Sequence, residues 1–392
     1  MVQSSTPARR PLTSRPLLGL ALALALAATT LAGCSSKSTR PKPTELQEIK
    51  GATLTPRSAW SVTVGDARKA PLKPAVLENA IYAVSGDGAL VRVAPDTGRV
   101  VWQINVGEKV TAGVGSDGFA VAVGTPRGEV IVFDAEGKQR WKAQVSSDVR
   151  AAPLVGRGVV IVRSTDHRVN AFDIDSGKRR WTFSRAVPPL TLRATSAMAF
   201  AGDTVVVPLP GGRVVALSLS NGATRWEASI AEPKGTTEVE RLTDVVGTVA
   251  VDGRDLCAAA FQGRLTCVDN SNGNLRWARD VPAGAGVAMD ADRVYGIDGG
   301  DTVVAHERSN GASVWRNTQL AYRSLTSPAV VSAAVIVGDF QGYLHYLRPA
   351  TGEFAGRVRV DSSAIVAPPQ VWADSVIVQT QSGRLDRIEL RR

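Results

Sequence analysis

The sequence predicts an all-β chain folded as a closed ring of repeated four-stranded units, and three observations predict it. A short pattern recurs along the chain: a turn, an alternating strand, an Asx/Ser/Thr-Gly turn, then a strand opening on Trp. In Gly98/Trp102, Gly137/Trp141, Gly177/Trp181, Gly222/Trp226, Gly273/Trp277 and Gly311/Trp315 the tryptophan stands four residues past the glycine. Glycine and valine are abundant and turn- or strand-placed, and no long stretch carries a helical period. Self-similarity at about 40 residues marks stacked supersecondary units, and four short strands per unit fit a propeller blade.

Hairpin starts fall at Gly88, Gly128, His167, Gly212, Gly263, Asp301, Gly342 and Gly383, so the propeller has eight blades. The seventh keeps its turn at Gly352 but has Gly356 where tryptophan is expected, which predicts the weakest neighbour contact of the ring there. The eighth runs out of chain before its outer strand. Upstream of the first repeat, however, stands a tryptophan strand with no hairpin of its own, Trp60 and the SVTV that follows. Pairing this N-terminal strand with the C-terminal hairpin closes the ring and removes two exposed sheet edges.

Ahead of the propeller the chain changes character. Arg9, Arg10 and Arg15 precede an uncharged Leu/Ala-rich run from Leu17 to Ala32, which is short for a membrane span and fits a signal peptide. The run ends Leu31-Ala32-Gly33-Cys34, which resembles the bacterial lipobox, where the cysteine is acylated and becomes the new N-terminus. Ser35 in place of aspartate implies, by the same resemblance, outer-membrane retention. Residues 1–33 are thus read as the leader, 34–58 as a lipidated N-terminus and flexible polar tether, and 59–392 as one propeller. One domain of this length is consistent with the repeat, because each blade needs its neighbours to bury its faces.

The formal net charge is +10, of which the leader supplies three arginines. The basic residues are scattered singly along strands and turns, which argues against nucleic acid and for a solvated surface among anionic lipids. Cys257 and Cys267 flank the turn at Gln262-Gly263. A two-residue loop there pairs Phe261 with Arg264 and sets Cys257 opposite Val268, so the sulfurs point to opposite sheet faces and both cysteines are expected reduced and buried. Cys267 occupies the slot that Ala171, Ala216 and Ala305 fill in other repeats.

The chemistry expected of an enzyme is not legible. His167, His306 and His345 sit at non-equivalent places with no ligand spacing, and no Gly-x-Ser-x-Gly elbow or P-loop occurs. Acids such as Asp173 and Asp175 fall at turns, where aspartate bonds backbone. The repeat, Ala171-x-Asp173 followed by Gly177 and Trp181, resembles the tryptophan-docking motif of pyrroloquinoline-quinone propellers. That motif marks the blade type and not the cofactor, and the adjacent cysteine pair of quinoprotein dehydrogenases is absent. The expectation is a non-catalytic scaffold without cofactor, with a quinone-dependent periplasmic dehydrogenase as the alternative.

Two repeats are longer than the rest, 45 residues from His167 to Gly212 and 51 from Gly212 to Gly263. The additions follow Trp181 and Trp226 and connect outer to inner strands, so both loops emerge on one face around blades three to five. Five stretches, 189–197 (PLTLRATSA), 235–245 (GTTEVERLTDV), 325–331 (LTSPAVV), 337–347 (VGDFQGYLHYL) and 360–364 (VDSSA), together with the lipobox and repeats, resemble the BamB family of outer-membrane β-barrel assembly lipoproteins. The resemblance implies a scaffold at the outer membrane facing the periplasm, docking on the POTRA domains of BamA. Carried over by motif, Leu190, Leu192, Arg193, Arg241 and Asp244 are its contact residues. Val246 stands where the family often has a second acid. Exposed outer-strand edges are a second candidate contact, for nascent outer-membrane proteins held by β-augmentation.

Overall fold

The computed structural model describes residues 41–192 and 196–391, with five isolated positions before residue 9. Cys34 and nearly all of the leader therefore lie outside the described residues. From Pro43 onward the chain forms one compact unit. Its strands build eight four-stranded antiparallel sheets, and among the described residues there is no helix. Blades one to seven span 75–105, 115–144, 154–183, 199–229, 250–279, 288–317 and 329–359. In each, the strands lie in sequence order from the axis outward.

Burial follows from position in the blade. The second and third strands, such as Val159–Arg163 and Val169–Asp173, are buried on both faces because a neighbouring blade covers each, and they read as nearly continuous apolar runs. Outer strands such as Arg179–Phe183 bury only the residue that faces the next blade, Trp181. A bulge in the outer pairing sets Trp181 opposite Ala171, Trp226 opposite Ala216 and Trp315 opposite Ala305, so a small side chain makes room for each indole.

Each tryptophan then docks on the next blade. Trp60, Trp102, Trp141, Trp181, Trp226, Trp277 and Trp315 all donate Nε1–H to a turn carbonyl of the following blade, at 2.8–2.9 Å. The turn glycine is required beneath the ring. Gly177 has φ +68°, and a Cβ there would lie 2.6 Å from the Trp141 indole. The turn is stiffened by Asp173, whose carboxylate accepts from Arg180 and from the backbone and hydroxyl of Ser176, which hold it well below the usual carboxylate range.

The eighth blade combines Gln370–Trp372, Ser375–Gln379 and Arg384–Arg391 with the N-terminal strand Thr55–Thr63. The pairing runs from Thr55 against Arg391 to Thr63 against Arg384, with a bulge between Ser58 and Trp60. The ring therefore closes through Trp60, as the surplus strand in the sequence predicts. Inner strands of adjacent blades, first and eighth included, approach one another around an axial channel of about 1000 Å³.

Two expectations are corrected. First, the polar stretch read as a tether up to residue 58 is bound to the propeller from Thr44 on. Thr44 N–H donates to Ala321, Arg323 holds the Thr44 carbonyl and Arg357 that of Gln47, each at 2.9 Å. The amides of Thr53 and Leu54 both reach the Ala355 carbonyl. This segment fills the seventh-blade gap. Leu54 is buried, and a Cβ on Gly356 would meet its carbonyl at 2.6 Å. The volume is exchanged across the pair, since Gly356 lies opposite the fully buried Tyr346. The seventh blade is thus capped by the chain's own N-terminal segment.

Second, Cys257 and Cys267 form a disulfide. The loop between them has three residues, not two: Ala260 N–H donates to Arg264 across Phe261, Gln262 and Gly263. One extra loop residue shifts every pair by one, so Cys257 faces Cys267 with 4.1 Å between Cα atoms and both side chains on one face. Gln262 makes this loop by adopting φ +50°.

Candidate loop face

The two long connections run over residues 184–198 and 230–249, between outer and inner strands of blades three to four and four to five. One side chain joins them. Asp244 is 5% exposed. Its Oδ2 accepts the Leu192 amide at 2.6 Å and its Oδ1 the Gly211 amide at 2.9 Å. The main chain of Asp244 is fixed in turn, because its carbonyl accepts from the Phe261 amide in the blade-five turn. A carboxylate between two backbone donors, 52 and 33 residues away in sequence, is a clamp across both loops and the blade-four turn.

A second tie comes from Arg163, at the end of the apolar strand Val159–Arg163 and 7% exposed. Its Nη2 donates to the carbonyl and hydroxyl of Ser196, both at 2.8 Å, and its Nη1 donates to the Pro208 carbonyl. Burial lowers this guanidinium to about 10, and the charge of Asp244 offsets part of the effect. His167 is held below its ordinary value by burial and by Arg163, and its ring meets the Thr191 hydroxyl at 3.4 Å. Sequence reasoning missed Arg163. Its signal is a cation ending a five-residue strand that is otherwise apolar, where a charge needs partners.

The remaining predicted residues take different places. Leu190 is 40% exposed on the first loop, against a cavity of about 400 Å³ lined also by Arg150, Arg163 and His167. Leu192 is partly buried against the core cluster around Val246 and Cys257 and serves to seat the loop. Arg241 is exposed on the second loop, with Glu238 at 4.0 Å one turn away. Its turn is shaped by Glu240, whose carboxylate accepts from the Thr236 and Thr237 amides and is lowered by those bonds. Arg193 lies outside the described residues. Val246 is buried. The structure thus brings Leu192 and Asp244 together as a support and leaves Leu190 and Arg241 as presented side chains.

Among the described residues no three His, Cys, Asp or Glu side chains are grouped to hold a metal ion. The fold and this face define a tryptophan-docked, eight-bladed propeller carrying its long loops on one rim. The profile of the family described as "Outer membrane protein assembly factor BamB" matches residues 86–317. The chain belongs to the BamB family. It is 41% identical to the outer membrane protein assembly factor BamB of Bordetella pertussis, over 91% of this chain and 93% of the relative. For the Burkholderia pseudomallei protein of the same name the identity is 38%, over 92% and 95%. The crystal structure of BamB from Moraxella catarrhalis superposes with a TM-score of 0.78 at 27% identity, covering 86% of this chain and all of that one. The quinohemoprotein alcohol dehydrogenase of Comamonas testosteroni, at 15% identity and TM-score 0.68 over 85% of this chain and 76% of that one, shares the fold alone.

Proposed function

We propose that this protein is a non-catalytic scaffold lipoprotein of the outer-membrane protein assembly machinery. It is acylated at Cys34, sits at the outer membrane with its propeller in the periplasm, and docks on the POTRA domains of BamA to assist folding and insertion of β-barrel proteins. Family membership supports the assembly role. The observation that carries the docking surface is the Asp244 clamp, which fixes two loops 52 residues apart into one rim and leaves Leu190 exposed. A half-exposed leucine beside a cavity gains from burial by a partner, at about 1.5–3 kcal/mol for full burial. Arg241 adds a planar donor for carboxylate or carbonyl groups. Asp244, being buried, positions the loops and does not itself touch the partner. Outer-strand edges remain a secondary surface for nascent strands.

The test is binding to purified POTRA domains. Leu190→Ala combined with Arg241→Ala is expected to weaken binding about tenfold or more without lowering the melting temperature. Full binding by a folded Leu190→Ala, Leu192→Ala, Arg193→Ala variant would remove the loop face from the interface.

A further inference from the structure

The axial channel is lined by residues from all eight blades, and its charge is one-sided. Four basic residues line it, Arg68, Lys69, Lys73 and Arg150, and among the described lining residues there is no carboxylate. Two of the four are already neutralised, Arg68 by Asp87 and Arg150 by Asp148, both at 2.6 Å. Lys69 is exposed at the mouth. Lys73 is different. It is half-buried on the channel wall, and its ammonium makes no hydrogen bond or ion pair to any described residue.

The main chain around Lys73 is rigid. Pro71 and Pro74 flank the Leu72-Lys73 pair, Leu72 is 2% exposed, and the Lys73 carbonyl accepts from the Val114 amide at 2.9 Å. Gly113 packs so closely that a Cβ on it would lie 2.5 Å from the Lys73 carbonyl oxygen. The root of the side chain is therefore fixed on the channel wall. An ammonium partly withdrawn from water without a counter-charge costs stability, and burial lowers its pKa. With Arg68 and Arg150 paired to Asp87 and Asp148, Lys69 and Lys73 leave an uncompensated positive potential in the channel, which draws anions. The channel volume of about 1000 Å³ suits a small molecule.

We propose that the axial channel is a binding site for a compact oxyanion, a small molecule whose carboxylate or phosphate group seats on the Lys73 ammonium. The bound anion supplies the missing counter-charge at the centre of the ring. It approaches through a mouth that carries Arg68, Lys69 and Arg150. This site is separate from the Asp244-clamped rim and stands whether or not that rim docks a partner.

The test is calorimetric titration of the whole mature chain at low salt with two probes, inorganic pyrophosphate and citrate. At least one is expected to bind, and a preference between them tells phosphate from carboxylate. Lys73→Met should weaken the binding about tenfold or more, while Lys73→Arg, which restores the charge, should lose less than that. A smaller loss in Lys73→Met, or no binding of either probe to the native protein, overturns the proposal. Should Lys73→Met fail to fold, backbone amide shifts of the native protein on adding the bound probe decide. Shifts centred on 71–76 and 111–116 support the site, and shifts centred elsewhere overturn it.

Discussion

Asp244 illustrates how one carboxylate can organise a surface without belonging to it. Its oxygens take the Leu192 and Gly211 amides, so Asp244→Ala strands two backbone donors and leaves Arg163 without its nearby opposite charge. The expected loss is about 2–4 kcal/mol in urea unfolding, with POTRA binding reduced because the loops part. Unchanged stability would mean that water replaces the carboxylate. The histidines carry a second residue-scale expectation. His167, His306 and His345 are all lowered by burial, and His345 shows why: its Nδ1 accepts from Arg357 Nε at 3.0 Å and its Nε2–H donates to Asp339 at 2.9 Å, which is the neutral ring. The folded state thus binds fewer histidine protons than the unfolded chain, whose histidines titrate near about 6.5. Stability is therefore constant above that value and falls as pH drops below it. Urea midpoints at pH values of about 7.5, 6.5 and 5.5 should decline in that order, and His345→Gln should flatten the decline if it folds. Equal midpoints would show that the three rings titrate in the native state as they do in the unfolded chain.

At the scale of the element, the segment before Thr55 changes the character of the seventh blade. Leu54 lies where a capping tryptophan is missing, and Tyr346 supplies the bulk from the partner strand. Amide exchange over 350–360 is accordingly expected to match that over 220–230, the equivalent segment beneath an intact tryptophan. Leu54→Ala, at a cost of about 2–3 kcal/mol, should accelerate the first segment selectively. Faster exchange there in the native protein would place Leu54 off the blade. This part of the architecture was not legible in the sequence for a definite reason. The segment is polar, and what holds it is its own backbone, with carbonyls taken by Arg323 and Arg357, 279 and 310 residues away. Composition reports side-chain burial and is blind to such bonds. The disulfide was hidden differently. The hairpin between the second and third strands closes over three residues in every blade, as Ser164 and Arg168 do, and the cysteine pairing depends on that single count.

For the whole molecule, the blades, their number and their closure were legible, because tryptophan and glycine four residues apart is a sparse signal repeated in register. The face of the long loops was legible too, since it follows from spacing. Which residues on it are presented was not, because Asp244 and Leu192 look like surface residues until the clamp is seen. Closure is what turns eight similar sheets into one cooperative body. Seven joints are indole-on-turn contacts, the eighth is Leu54 over Gly356, and two of the eight, at Trp60 and at Leu54, come from one stretch of chain. A chain beginning at residue 66 loses both at once. It also uncovers the edge of Arg384–Arg391, eight residues long, and the face that Trp60 covers on the first blade. In a ring the damage is not confined to one end, because blades one, seven and eight each lose a neighbour contact and the seam opens between them. Trp60→Ala alone removes one indole contact, at about 3–5 kcal/mol, and should lower a single unfolding transition without splitting it. The truncated chain should instead unfold in two steps by calorimetry, with blades one, seven and eight giving way first and the remainder later. A truncated chain that melts once, at the native temperature, would show that the seam carries no load and that closure is incidental to stability.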